Sequence, residues 1–284
     1  MTPLNSRSSL FIFSWFVLFL IPVLVSAQNQ LKERPPVFWV NSKLPEGPGL
    51  THHVLDSKAM GHGVGYVVWT PKGYDPSSVK RYPVVYFLHG MGGNEAADSA
   101  GFSSILARGI HEGKLGEIIC VFPNGGRSGY RNEVEHMIID ELIPIIDKSY
   151  PTKANGDSRA FAGFSMGGAG SIRLAINYPE LFCAAGSMGG GMGFGSNASF
   201  MEEALLNDFT RKANFMKANG LAMLLVNGDQ DGPKAYSALV PKLQASKLSY
   251  EVVILPDTKH NLGHYYERSG DSVLKLLNDS LFSK

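Results

Sequence analysis

Short apolar runs, rich in β-branched and aromatic residues, recur along the chain at positions 54–59, 65–70, 82–88, 118–122, 160–163, 183–187, 222–226 and 250–255. Runs of this length fit strands, and those that are apolar throughout fit strands buried on both faces. Between the later runs lie segments with helical spacing: 103–108, 133–149, 166–177, 200–218, 233–246 and 272–282. In 133–149 the apolar face is formed by Met137, Ile138, Leu142, Ile145 and Ile146, the recurrence expected of a helix with one buried side. Only residues 60–64 separate the first two runs, which predicts a hairpin, whereas the remainder follow a strand-helix-strand rhythm. The expected fold is α/β: a mainly parallel eight-stranded sheet opened by an antiparallel hairpin, with helices on both faces. The chain shows no internal repeat, low-complexity tract or block of like charge, and its one compositional oddity is the glycine-rich stretch 189–195. That stretch reads as a surface loop, with a functional lid as the alternative.

The N-terminus has a different pattern. Arg7 precedes an apolar run over 10–25, broken by Ser14 and Pro22, that closes on Val25-Ser26-Ala27. The run is short for a membrane span, which needs about 20 residues, and its small closing residues suit signal cleavage before Gln28. Residues 1–27 are therefore expected to be a signal peptide, 28–50 an extended arm rich in proline and polar residues, and 51–284 a single domain. This predicts a secreted or periplasmic protein with no stable membrane insertion after cleavage; an uncleaved anchor is the alternative. The formal charge is +1 and the basic residues are scattered, which leaves no electrostatic footprint for nucleic acid or an anionic membrane and favours small neutral substrates. The two cysteines, Cys120 and Cys183, fall in separate buried runs. A disulfide tolerates only about 4.4 to 6.8 Å between Cα atoms, so free thiols are expected.

Candidate chemistry centres on Phe161-Ala162-Gly163-Phe164-Ser165-Met166-Gly167-Gly168, a GxSxG arrangement after one apolar run and before a helical one. A sharp strand-to-helix turn displays its central side chain, and Gly163 and Gly167 lack the Cβ atoms that would collide across it. Ser165 is thus a candidate nucleophile, with the Met166 N–H at the helix start as a candidate oxyanion donor. A glycine-rich turn without catalysis is the plainer reading. Other candidates also follow the carboxyl ends of apolar runs: His89-Gly90-Met91-Gly92-Gly93, Asp229 and Asp231, and His260 and His264. Ligands of open α/β sheets bind at that edge. His89-Gly90 also reads as a tight strand exit with a packed imidazole, and both aspartates as caps of the segment starting at Pro233. The His260–His264 spacing lacks the glutamate of a zinc-protease motif and an evident third ligand, so neither metal nor cofactor is expected. His52, His53, His62, His111 and His136 read as packing or surface residues.

Taken together, the segments 82–95, 141–147, 162–168 and 178–182 resemble the Putative esterase family of α/β-hydrolases, which includes feruloyl and acetyl xylan esterases, S-formylglutathione hydrolase, enterochelin esterases and mycolyltransferases. The resemblance runs from about Leu55 to the C-terminus. It implies Ser165 as nucleophile, Met91 and Met166 as backbone oxyanion donors, Asp231 through the pattern Gly228-x-x-Asp231, and His260 through the following Asn261, Tyr265 and Tyr266. Leu262 stands where many members carry tryptophan. The implied function is an exported serine carboxylic-ester hydrolase working through a Ser-His-Asp triad and an acyl-enzyme on a small-molecule or carbohydrate ester, with carbohydrate-linked acetyl or feruloyl groups first. Siderophore ester hydrolysis, acyl transfer and a catalytically inactive carbohydrate-binding relative are the alternatives. Oligomeric state is not predicted.

Overall fold

The first two strands, β1 (Leu50–Ser57) and β2 (His62–Trp69), form the expected hairpin, with Leu50 opposite Trp69 and Ser57 opposite His62. The computed structural model describes residues 36–43, 45–191, 200–232 and 234–282. The expected signal peptide and most of the glycine-rich stretch lie outside the described residues. Six further strands follow: β3 (Val84–Leu88), β4 (Ile119–Pro123), β5 (Arg159–Phe164), β6 (Ala184–Met188), β7 (Ala222–Gly228) and β8 (Ser249–Leu255). They complete an eight-stranded sheet in the order β1-β2-β4-β3-β5-β6-β7-β8. β2 pairs antiparallel with β1 and β4, and every later pairing is parallel. All carboxyl ends from β3 onward therefore open on one rim.

Alternate strand residues feed opposite layers. Val85 and Phe87 point with Ala160, Ala162 and Leu224 into a core closed by helices α1 (Ser99–His111) and α7 (Leu262–Phe282), whose Phe102, Leu106, Val273, Leu274 and Leu277 are buried there. Val84, Tyr86, Leu88 and Phe161 face the other way, onto Ile138, Leu142 and Ile146. Farther along that second face, Ala185, Met223 and Leu225 meet α4 (Met166–Asn177) and α5 (Phe200–Ala218). Cys120 and Cys183 are buried and are not joined in a disulfide. They lie in or beside β4 and β6, which β3 and β5 separate, about 14 Å across the sheet at ordinary strand spacing.

Four helices depart from the pattern read in the chain: α1 runs from Ser99 to His111 where 103–108 was expected, and of the other three, two depart because of proline. The segment 133–149 is not one α-helix: α2 (Glu133–His136) passes through a π-helical stretch, Met137–Leu142, into α3 (Ile143–Ser149). Pro144 has no N–H for the carbonyl four residues back, and the wider turn, with Ile143 N–H donating to the Ile138 carbonyl, absorbs the gap. The helix expected over 233–246 begins only at Val240 (α6, Val240–Ser246), because Pro241 is tolerated in a first turn and not in an interior. Residues 234–239 form turns instead, with Tyr236 at φ 62°. Helix α7 starts ten residues earlier than 272, and its inward positions there include Ser269 and Gly270, too small to register as an apolar stripe.

Residues 36–43 form neither helix nor strand, yet the chain from Val37 belongs to the main body. Gly65 N–H donates to the Trp39 carbonyl (2.7 Å), and the Asn124 amide donates to the carbonyls of Phe38 (2.9 Å) and Trp39 (3.2 Å).

Candidate active site

At the end of β5 the chain turns into α4 through one residue, Ser165, held at φ 55° and ψ −118°. A non-glycine residue in such a conformation costs on the order of 1–3 kcal/mol and persists only where its surroundings enforce it. Enforcement here is steric. A Cβ on Gly163 would strike the Gly167 backbone, and one on Gly167 would overlap the Leu88 carbonyl, so β3, β5 and α4 meet backbone to backbone. The Ser165 N–H donates to the Met188 carbonyl at 2.8 Å, which ties the turn to the exit of β6. The serine side chain is left half-exposed at the rim.

His260, in the connection between β8 and α7, places Nε2 2.8 Å from Ser165 Oγ and Nδ1 2.7 Å from Asp231 Oδ2. Its ring lies over Phe164, with centroids 4.7 Å apart and planes at 27°. The loop carrying Asp231 is folded by Asn227, whose amide donates to the carbonyls of Gly228, Asp231 and Gly232 at 2.7–3.0 Å. Residues from three strand ends thus form one continuous hydrogen-bonded line. Chemically, such a line lets the imidazole accept the hydroxyl proton while the carboxylate fixes its tautomer and stabilises the resulting charge.

The strip after β3 borders the serine from the other side: a Cβ on Gly90 would lie 3.4 Å from Ser165 Cβ. Among the described residues, the N–H groups of Met91 and Met166 donate to no backbone carbonyl. His89 is buried and neutral: its Nδ1 faces the Gly90 carbonyl at 2.8 Å, while Nε2 accepts from Gly125 N–H at 2.9 Å. Desolvation pushes its pKa down to about 4, outweighing the Gly90 bond and the nearby Glu95 charge.

The competing candidates sit elsewhere. Asp229 accepts the N–H groups of Asp257 (3.0 Å) and Thr258 (3.1 Å), which lowers its pKa and fastens the connection leading to His260. His264 is exposed in the first turn of α7, where its N–H donates to the Asn261 side chain. The aspartates cap no helix at 233, since α6 starts at Val240. Among the described residues no cluster of three His, Cys, Asp or Glu side chains is placed to hold a metal. Two residues that the sequence reading placed in motifs without a role of their own belong to the neighbourhood. Tyr265 donates its hydroxyl to Asp231 Oδ2 at 2.6 Å. Glu95, fully buried, accepts from Asn41 N–H (2.7 Å), the Asn124 amide (2.7 Å) and His52 Nε2 (3.0 Å). Neither contact has a signal in sequence spacing.

Residues 57–252 match the model of the family described as “Putative esterase”. The chain belongs to that family. It is 31% identical over 209 residues to an endo-1,4-beta-xylanase/feruloyl esterase of Xylanibacter ruminicola, covering 68% of this chain and 26% of the relative. It is 32% identical over 133 residues to feruloyl esterase C of Emericella nidulans, covering 46% of this chain and 48% of that protein. The chain therefore spans about a quarter to a half of the length of these two curated relatives. A solved ferulic acid esterase superposes with a TM-score of 0.71 at 20% identity, covering 82% of this chain and 98% of the other. An S-formylglutathione hydrolase from Agrobacterium tumefaciens superposes at 0.64 and 16%, covering 84% and 99%. At such identities the likeness establishes the α/β-hydrolase fold that the eight-stranded sheet embodies.

Proposed function

We propose that the chain is an exported serine carboxylic-ester hydrolase that cleaves carbohydrate-linked feruloyl or acetyl esters through an acyl-enzyme. The observation that carries this reading is the unbroken line from Ser165 Oγ through His260 to Asp231, with bonds of 2.8 and 2.7 Å. His260 removes the serine proton as Oγ adds to the ester carbonyl; the oxyanion is held by the N–H groups of Met91 and Met166. Collapse of that adduct expels the alcohol, which takes the proton from His260, and leaves the acyl group on Ser165. Water activated by the same imidazole then releases the acid. Each oxyanion donor contributes about 2.7–4 kcal/mol to lowering the barrier.

The substrate class is supported by the relatives named feruloyl esterase, and export by the apolar leader over 10–25. Ser165→Ala is expected to reduce kcat on p-nitrophenyl acetate by at least about 10⁴-fold with the fold intact. Most of the activity surviving in the purified variant would refute the assignment. Among methyl ferulate, acetylated xylan and p-nitrophenyl butyrate, the first two are expected to give the higher kcat/KM; a preference for the butyrate alone would remove the carbohydrate-ester reading.

A further inference from the structure

Asp231 Oδ2 receives two donors, not one. His260 Nδ1 approaches it at 2.7 Å and the Tyr265 hydroxyl at 2.6 Å. That hydroxyl in turn accepts from the Gly228 N–H at 2.7 Å, at the point where β7 gives way to the acid-bearing loop. The result is a relay, Gly228 N–H to Tyr265 Oη to Asp231 Oδ2, in which each bond polarises the next. Tyr265 is fully buried in the first turn of α7, with its ring edge-on to Phe164 at 5.4 Å. A phenylalanine would make the same packing contacts, so the hydroxyl is not needed to fill the core.

Gly189 completes the junction. Its φ is +60°, and a Cβ there would lie 3.1 Å from Asp231 Oδ2, 3.2 Å from Tyr265 Oη and 3.3 Å from His260 Cε1. One missing side chain thus touches all three groups. The Gly189 N–H donates to the Val226 carbonyl at 2.9 Å, which holds the residue in place as the wall of the junction.

We propose that Tyr265 is a positioning residue that orients Asp231 and shares its charge, thereby setting the proton affinity of His260, and that Gly189 supplies the space in which the junction closes. The proposal rests on the serine-hydrolase reading and deepens it. A carboxylate that gives part of its charge to a phenol stabilises imidazolium less than an undivided one. Removing the phenol therefore raises the proton affinity of His260 and loosens the carboxylate.

The other titratable groups facing Asp231 do not blur the readout. Tyr236, from the connection between β7 and α6, is fully buried with its hydroxyl on Ser187 Oγ, and desolvation raises its pKa far above neutral pH. Tyr265 is itself raised, by desolvation and then by its bond to Asp231. Asp229, on the same loop, is lowered by its bonds to Thr258 and Asp257. Ser165 lies beyond the imidazole.

The test is the pH dependence of kcat/KM for p-nitrophenyl acetate in wild type, Tyr265→Phe, and protein carrying 2,3,5-trifluorotyrosine at 265, whose more acidic phenol donates more strongly. Tyr265→Phe is expected to lower kcat roughly tenfold with KM unchanged, and to move the acid limb to higher pH. The fluorinated residue is expected to move it to lower pH. Tyr86→Phe, a buried tyrosine of β3 on the opposite layer, serves as control and leaves the limb in place. A limb superposable on wild type in both Tyr265 forms, with only the thermal midpoint changed, would overturn the proposal. Should Tyr265→Phe fail to fold, the fluorinated protein alone decides by the direction of its limb. Wild-type protein that hydrolyses no ester and takes up no fluorophosphonate would instead sink the underlying reading, and this proposal with it.

Discussion

His89 sits one residue before the strip that borders Ser165, and its two nitrogens are committed to Gly90 and Gly125. Burial holds its pKa down to about 4, against 6.5 for an exposed histidine. The folded protein therefore keeps the ring neutral where the unfolded chain would protonate it. Stability from this group is complete above pH 6.5 and drains away as pH falls toward 4, by about 3 kcal/mol in all. Asp98 works the opposite way: desolvation raises its carboxyl to about 6, so its contribution is present at low pH and is lost as pH rises from about 4 to 6. Urea midpoints between pH 4 and 8 are expected to show a shallow slope in wild type, because the two groups oppose each other. Asp98→Asn should steepen the loss on acidification and His89→Gln should reverse it; parallel profiles in all three proteins would contradict the assignment. Ser165 is the third residue whose local state is enforced from outside, through the glycines that let three backbones meet.

At the scale of elements, Glu95 ties four pieces of chain together: the segment at Asn41, β1 through His52, the exit of β4 through Asn124, and its own strip after β3. Gly65 makes room for it, since any Cβ there would overlap the carboxylate. Glu95→Gln replaces one acceptor oxygen by an amide that faces a donor. The expected cost is about 1–3 kcal/mol in urea unfolding, with faster trypsin cleavage after Lys43; an unchanged midpoint and cleavage rate would show that the clasp carries no strain-bearing load. None of these partners was legible in the chain, because they lie 29 to 54 residues apart and share no spacing rule. Tyr265 and Asp231 are likewise 34 residues apart. The strands were legible because residues such as Val84 to Leu88 are buried on both faces, so the apolar run itself is the signal. Ser165 was legible because the glycines its turn requires sit at fixed offsets from it. Helix boundaries failed where proline changed the hydrogen-bond register, at Pro144 and Pro241, and where α7 turns Ser269 and Gly270 inward in place of large apolar side chains.

For the whole molecule, the sheet order is what assembles the rim. β5, β7 and β8 run parallel, with β6 between the first two, so Ser165, Asp231 and His260 leave the same edge although 95 residues separate the serine from the histidine. Small residues at the centre, Ala160, Ala162, Ala184 and Ala185, let the helices of both layers approach closely enough to fix that edge. The candidate site is thus built from segments positioned by the core, with His260 held by Phe164 and Asp231 by Asn227 and Tyr265. What this arrangement does is tested most directly by treating native protein with a fluorophosphonate probe and mapping the adduct by mass spectrometry, beside His260→Ala. The expected result is a single adduct on Ser165, formed at least about 10³-fold more slowly in the variant. Folded wild-type protein that takes up no probe, or takes it up at another residue with Ser165 unmodified, would contradict the proposed nucleophile.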